Sequence, residues 1–284
     1  MSDENSSNRV RIVLIGSGRM GQIRAQHLNA NPRFDFCGIV DLDIEGARKL
    51  ARTYHIPYFA SLSDAIGYYK INTTATAKNS ELGSSLPPVL SSSLDEVASV
   101  ASTDISSVTY GGTSLDAILI STPTFTHGAL IEEAARYRLS IFTEKPVDET
   151  AGKISPLFKM CKAAQVTLAC GFQRRFDPSY VQMKENIANN EIGKPLMANV
   201  FFGDHPCPPI EFLLKGGNLW MDLLCHDADF IRWCLDDEID SVFATGMSSS
   251  DELKKHNIID NGTVLLKFKK GKKGVKIFLY QLFR

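Results

Sequence analysis

Val10-Arg11-Ile12-Val13-Leu14-Ile15-Gly16-Ser17-Gly18-Arg19-Met20-Gly21 is the stretch on which the fold turns. A short run rich in β-branched residues reads as a buried strand, and it leads straight into glycines spaced G-x-G-x-x-G. Ile23, Ala25 and Leu28 then follow a helical pattern until Asn31-Pro32 stops it. A second strand, Phe34 to Val40, ends in Asp41, twenty residues past Gly21. Each part has a physical task. Gly16 permits a tight turn, Gly18 lets a pyrophosphate approach the backbone, and Gly21 lets helix and strand pack closely. The helix N-terminus offers N–H groups and the positive end of a dipole to phosphate oxygens. An acid at Asp41 is spaced to accept hydrogen bonds from a ribose hydroxyl. This βαβ unit is expected to bind a dinucleotide. Asp41 and Asp43 would repel a 2′-phosphate, which favours NAD over NADP, while Arg19 pulls the other way.

Working outward, Glu45 to Tyr54 reads as a helix and Ile56 to Phe59 as the next strand. From about residue 68 to 114 the chain is rich in Ser and Thr, with Pro87-Pro88 and Gly111-Gly112 and no lasting period. It is expected to be a long, largely disordered surface insertion, with at most one helical turn near Leu94 to Val100. Order returns at Leu115 to Ile120, a continuous apolar strand ending in Ser121-Thr122-Pro123. Thr126 suits the N-cap of a helix running to Arg138. Leu139 to Thr143 is another strand, followed at once by Glu144-Lys145-Pro146. Ligands of open parallel sheets bind beyond the carboxyl ends of the strands, where Thr122-Pro123 and Glu144-Lys145 both fall. A helix around Ile154 to Ala164 and a strand Val166 to Phe172 complete a doubly wound α/β domain.

At Phe172-Gln173-Arg174-Arg175-Phe176-Asp177-Pro178 the period changes. Asp177 and Pro178 predict the cap and first residue of a helix through about Asn189. Leu196 to Phe202 alternates like a half-buried strand, and His205 to Pro209 must be a loop. Gly216-Gly217 then opens a helix expected over Leu219 to Leu235, with Asp222, His226 and Asp229 on one face. A carboxylate one turn before a His, in apolar surroundings, suits proton transfer. A core helix carrying a capped His is the alternative. Ile239 to Thr245, Thr263 to Phe268 and Val275 to Tyr280 read as strands, the last two joined by a basic turn. The second half is thus α+β with a mostly antiparallel sheet. The division expected is a polar tail over 1–8, a dinucleotide-binding domain over 9–172, and a substrate and oligomerisation domain over 173–284.

Composition excludes several classes. The 284 residues are 44% hydrophobic and 22% charged, with net charge -1 and pI near 6.6. Nothing favours nucleic acid or an anionic membrane as partner. No run approaches the roughly 18 apolar residues of a membrane span. Met1 to Asn8 lacks the layout of a secretory signal. The six cysteines carry no Cys-x-x-Cys spacing and sit mostly in apolar stretches, as expected of reduced thiols in the cytoplasm.

Gly16-Ser17-Gly18-Arg19-Met20-Gly21, Ser121-Thr122-Pro123-Thr124, Glu144-Lys145-Pro146, Gly171 to Asp177, and Gly216-Gly217 with Asp222, His226 and Asp229 occur in one order. That combination resembles the Gfo/Idh/MocA oxidoreductases, and within them the inositol 2-dehydrogenases. The resemblance implies catalytic roles for Lys145, Asp222 and His226. It implies cofactor contacts at Gly16, Gly18, Arg19, Met20, Gly21, Asp41, Ser121, Thr122, Pro123, His127, Glu144 and Lys145. Arg174, His205 and Asp222 would touch substrate hydroxyls, and Asp229 would be structural or orienting. The implied activity is oxidation of a ring carbinol of a small cyclic polyol or sugar by NAD, with myo-inositol giving the 2-keto inositol as the leading case. Homo-oligomers are usual in that family, and no metal is needed. The insertion is foreign to it, and its members run on past the hairpin where this chain stops at Arg284, so the second domain is read as shortened. Two other readings stand beside it: a regulatory NAD-binding protein of the same fold, and a metal site of Asp222, His226, His205 and Cys207. The spacing of the last set follows no compact zinc motif.

Overall fold

β1 (Val10–Ile15) runs parallel between β2 (Phe34–Val40) and β4 (Ala117–Ile120). β3 (Tyr58–Phe59) extends one side, and β5 (Ser140–Thr143) and β6 (Leu168–Cys170) the other. The resulting six-stranded sheet has the order β3-β2-β1-β4-β5-β6, with every pairing parallel. The computed structural model describes residues 9–76, 115–203, 209–214, 219–269 and 275–281. The chain divides into two units, Met1–Gly171 and Phe172–Arg284.

The strand sequences explain the layering of the first unit. Side chains alternate along β1, so Ile12 and Leu14 face one layer while Val13 and Ile15 face the other. The first layer holds α1 (Arg19–Ala30) and α2 (Ile44–Tyr54), which bury Ala25, Leu28, Ala47 and Ala51. The second holds α3 (Leu62–Thr76), α4 (His127–Arg136) and α5 (Ala151–Ala163), with Ile66, Ile131 and Leu157 in its core. Right-handed crossovers put the helices on opposite faces as the strand order reverses beside β1. A crevice therefore opens past the carboxyl ends of β1 and β4.

The near end of the expected insertion is corrected by α3, which continues to Thr76. Leu62, Ala65, Ile66 and Tyr69 fall at i, i+3, i+4 and i+7, a helical stripe that the following Ser and Thr residues obscure. The Tyr68 and Tyr69 rings lie 5.4 and 6.4 Å from Phe59, so these residues belong to the folded core. Residues 77–114, including the turn expected near Leu94, lie outside the described residues.

The second unit begins with a 3-10 turn, Gln173–Phe176, and α6 (Pro178–Ala188). Asp177 caps α6 by accepting from the backbone N–H groups of Ser179 and Tyr180, as its position before Pro178 predicts. A four-stranded sheet follows, made of β7 (Val200–Phe202), β8 (Ile239–Met247), β9 (Asn261–Phe268) and β10 (Val275–Gln281). Its order is β7-β10-β9-β8, antiparallel except for β7 against β10. Two short helices, α7 (Ile210–Leu214) and α9 (Asp251–Lys255), carry no periodic pattern long enough to predict.

Val264, Leu266 and Phe268 alternate on β9 and are buried together with Leu219, Leu223 and Ile231. The helix expected over 219–235 is present but not uniform. Leu219–Leu224 is a π-helix, and α8 (Cys225–Leu235) continues it as an α-helix.

Candidate active site

The glycine turn separates packing demands from ligand space. Gly16 has φ +106°, and a Cβ there would come within 2.8 Å of the Ser121 backbone. A Cβ on Gly21 would lie 2.0 Å from the Gly16 carbonyl oxygen, so only glycine lets α1 start this close to β1. Gly18 differs: a Cβ there would meet nothing within 4 Å. Open space over bare backbone is what a pyrophosphate requires. Gly18 is also the N-cap of α1, which has no side-chain cap and no acid in its first turn. Among the described residues no side chain caps the N-terminal N–H groups, and the cradle fits a dinucleotide phosphate. Arg19 and Met20 start the helix in exposed positions.

Asp41 stands at the end of β2. Its Oδ2 accepts from the Ser17 N–H at 2.6 Å and the Ser17 hydroxyl at 2.7 Å, and its Oδ1 from the Asp43 N–H at 2.9 Å. These bonds fix the carboxylate beside the glycine turn. Ser17 was not a candidate from sequence.

The loops after β4 and β5 are tied to the same region. The Ser121 hydroxyl lies 3.1 Å from the Ile15 carbonyl and 3.2 Å from that of Gly16. Thr126 donates its hydroxyl to the Pro123 carbonyl at 2.8 Å, leaving its oxygen to accept from Thr122 at 2.7 Å. Pro123 is exposed. His127 is not; only 1% of it is accessible, and both ring nitrogens lie against backbone carbonyl oxygens. Glu144 is also buried, held by the Arg24 guanidinium of α1 at 2.5 Å. Arg24 in turn lies over the Phe142 ring. Lys145 follows, half-buried, with a cis peptide to Pro146. Arg24 is a second residue the sequence did not single out.

In the second unit the π-helix carries Asp222 and the first turn of α8 carries His226, both half-buried. The His226 ring meets Phe172 edge to face, with centroids 6.2 Å apart. Its neighbours on α8 have other partners. Arg174 pairs with Asp227, whose side chain is fully buried, and lies over the Phe202 ring. Arg175 grips Asp229 with Nε and Nη2, at 2.8 and 2.5 Å. The hydrogen bonds that Arg175 donates to the Asp229 carboxylate raise the guanidinium pKa above its ordinary value despite burial. Asp229 is thus joined to the turn after β6, and Arg174 to an acid that sequence did not flag. His205 lies outside the described residues.

A family model described as an oxidoreductase family with NAD-binding Rossmann fold matches residues 10–172. The GFO/IDH/MocA C-terminal domain matches residues 180–277. Myo-inositol 2-dehydrogenase of Thermotoga maritima is 33% identical over 162 residues, 57% of this chain and 48% of that protein. The scyllo-inositol 2-dehydrogenase (NAD(+)) of Bacillus subtilis is 35% identical over 161 residues, 56% of this chain and 47% of that protein. The chain spans about half the length of these relatives. Among solved structures, a myo-inositol dehydrogenase of Corynebacterium glutamicum aligns with TM-score 0.71 and 24% identity, over 97% of this chain and 69% of that one. The scyllo-inositol dehydrogenase of Lactobacillus casei with bound NAD(H) and scyllo-inositol aligns with TM-score 0.72 and 20% identity, over 96% and 70%. These two show the shared fold. The chain therefore belongs to the Gfo/Idh/MocA oxidoreductase family, and its first unit is an NAD-binding Rossmann domain of that family.

Proposed function

We propose that the protein is an NAD-dependent dehydrogenase that oxidises a secondary alcohol of a cyclic polyol or sugar, with myo-inositol to the 2-keto inositol as the leading reaction. One observation carries the reading. A chain with the dinucleotide cradle at Gly18 also bears Lys145 beyond a strand end and Asp222 one turn before His226. The names of the relatives support the substrate class. Bound NAD supplies the hydride acceptor. His226 takes the hydroxyl proton as general base, a contribution of about a hundred- to ten-thousand-fold. Asp222 orients the imidazole or holds a neighbouring hydroxyl, and the Lys145 ammonium stabilises the developing alkoxide. The Asp41 carboxylate favours NAD over NADP by opposing a 2′-phosphate.

The same proposal takes full-length proteins of this family to be homo-oligomers and places this protein in the reducing cytoplasm. Exposed Val242, Phe243 and Met247 on edge strand β8 support the first part. The second rests on described cysteines that form no disulfide.

The test is NADH formation by the purified protein with myo-inositol, its isomers and pyranoses. His226→Ala and Lys145→Ala should each lower turnover at least about a hundredfold while NAD affinity holds. Unchanged turnover in either variant would sink the assignment. A protein that binds NAD but turns over none of these alcohols would be a cofactor-responsive regulator instead.

A further inference from the structure

We propose that His127 is a positioning residue that clamps the loop after β4 to the loop after β5 and so sets Lys145 relative to the cofactor loop. The inference rests on the reading above in giving Lys145 a part in the reaction. His127 opens α4 and is 1% accessible, so its ring is not placed to touch a ligand. Instead Nε2 lies 2.9 Å from the Thr122 carbonyl oxygen, and Nδ1 lies 2.8 Å from that of Pro146. Thr122 precedes Pro123 in the loop after β4; Pro146 follows Lys145 in the loop after β5. Thr143 Oγ1, which donates to the Glu144 carbonyl at 3.1 Å, lies 3.3 Å from Nδ1. One imidazole thus reaches both loops beyond the carboxyl ends of β4 and β5. A ring nitrogen that bears a hydrogen donates to the carbonyl oxygen it faces, so the two arms are tested separately.

A second contact joins the same parts. A Cβ on Gly128 would sit 2.9 Å from Asp148 Oδ2, so the start of α4 and the loop after Lys145 are in close approach beside the imidazole. A filler of the core would need neither the paired carbonyls nor this approach.

Two conservative variants separate the two arms. His127→Asn keeps a donor near the place of Nδ1, toward Pro146. His127→Gln reaches the place of Nε2, toward Thr122. NAD dissociation constants, kcat and KM for myo-inositol, and Tm would be measured on the full chain. One lost buried hydrogen bond corresponds to roughly a three- to tenfold effect. His127→Asn should weaken NAD binding by about that factor with kcat held, and His127→Gln should lower kcat by about that factor with NAD affinity held. Gly128→Ala, a change helix propensity tolerates well, pushes on Asp148 without removing the imidazole and should lower kcat alone. The clamp is overturned if the Asn and Gln variants shift the same parameters equally, if all three change only Tm, or if Gly128→Ala leaves kcat intact. If the wild-type protein binds NAD but oxidises no polyol, the functional reading fails by itself. The contrast in NAD affinity between Asn and Gln then still decides the clamp.

Discussion

Arg174 and Arg175 are adjacent in sequence, yet each neutralises a different buried acid on α8, Asp227 and Asp229. Removing one partner of a buried pair leaves an uncompensated charge, at a cost of roughly 3–5 kcal/mol. Arg174→Met should therefore lower unfolding free energy by about 3 kcal/mol or more in a denaturant titration, with Arg174→Met/Asp227→Asn recovering part of it. A substrate contact at Arg174, as its motif suggests, predicts something else: a raised KM at unchanged stability. The two outcomes separate a scaffold arginine from a ligand arginine. These pairs also mark where sequence stops informing. Arg174 and Asp227 are 53 residues apart, and Arg24 and Glu144 are 120 apart. Spacing identifies charged side chains at loop and helix ends, but only the fold says which of them meet.

At the scale of elements, the π-helix bearing Asp222 is seated by a missing pair of side chains. Gly246 on β8 and Gly262 on β9 sit opposite each other in register. A Cβ on Gly262 would lie 2.6 Å from Trp220 Cη2 and 2.7 Å from Leu219 Cδ2, and one on Gly246 3.3 Å from Trp220 Cζ2. The two glycines open a notch that receives the indole. Gly262→Ala should overpack it, costing about 1–3 kcal/mol, and displace the turn that holds Asp222. Trp220→Phe in the same chain removes the clashing far ring and should restore part of the loss. Full stability in Gly262→Ala alone would show that the notch does not seat the helix. The elements that sequence predicts best are those with local signals. The strand, glycine turn, helix and acid of Val10 to Asp41 identify themselves within one short stretch, as does the Asp177-Pro178 cap. The apolar spacing of Leu219 to Leu235 predicts a helix but not its wide first turns, which use the same residue types as an α-helix. α3 was hidden for another reason: its stripe runs into a Ser/Thr-rich segment, and only the Tyr68 and Tyr69 contacts with Phe59 show that the helix continues.

For the whole molecule, each unit has its own hydrophobic core. The clusters around Ile118 and around Leu14 lie wholly in the first unit, and those around Leu266 and Leu253 wholly in the second. Chains built this way commonly depart from a single two-state transition. The glycine cradle belongs to the first unit, so bound NAD should stabilise that unit by mass action, by about 2.7 kcal/mol at a hundred times the dissociation constant. The sequence has two tryptophans, Trp220 and Trp233, and both lie in the second unit. Tryptophan fluorescence therefore follows the second unit, while far-ultraviolet circular dichroism follows both. On adding NAD, the circular dichroism transition should shift to higher denaturant or split, with the fluorescence midpoint nearly unmoved. Gly262→Ala should do the reverse, moving the fluorescence midpoint first. A fluorescence midpoint that tracks NAD as closely as the dichroism does would mean that the two cores unfold as one cooperative body, and that cofactor binding in the first unit stabilises the helix of Asp222 and His226 directly.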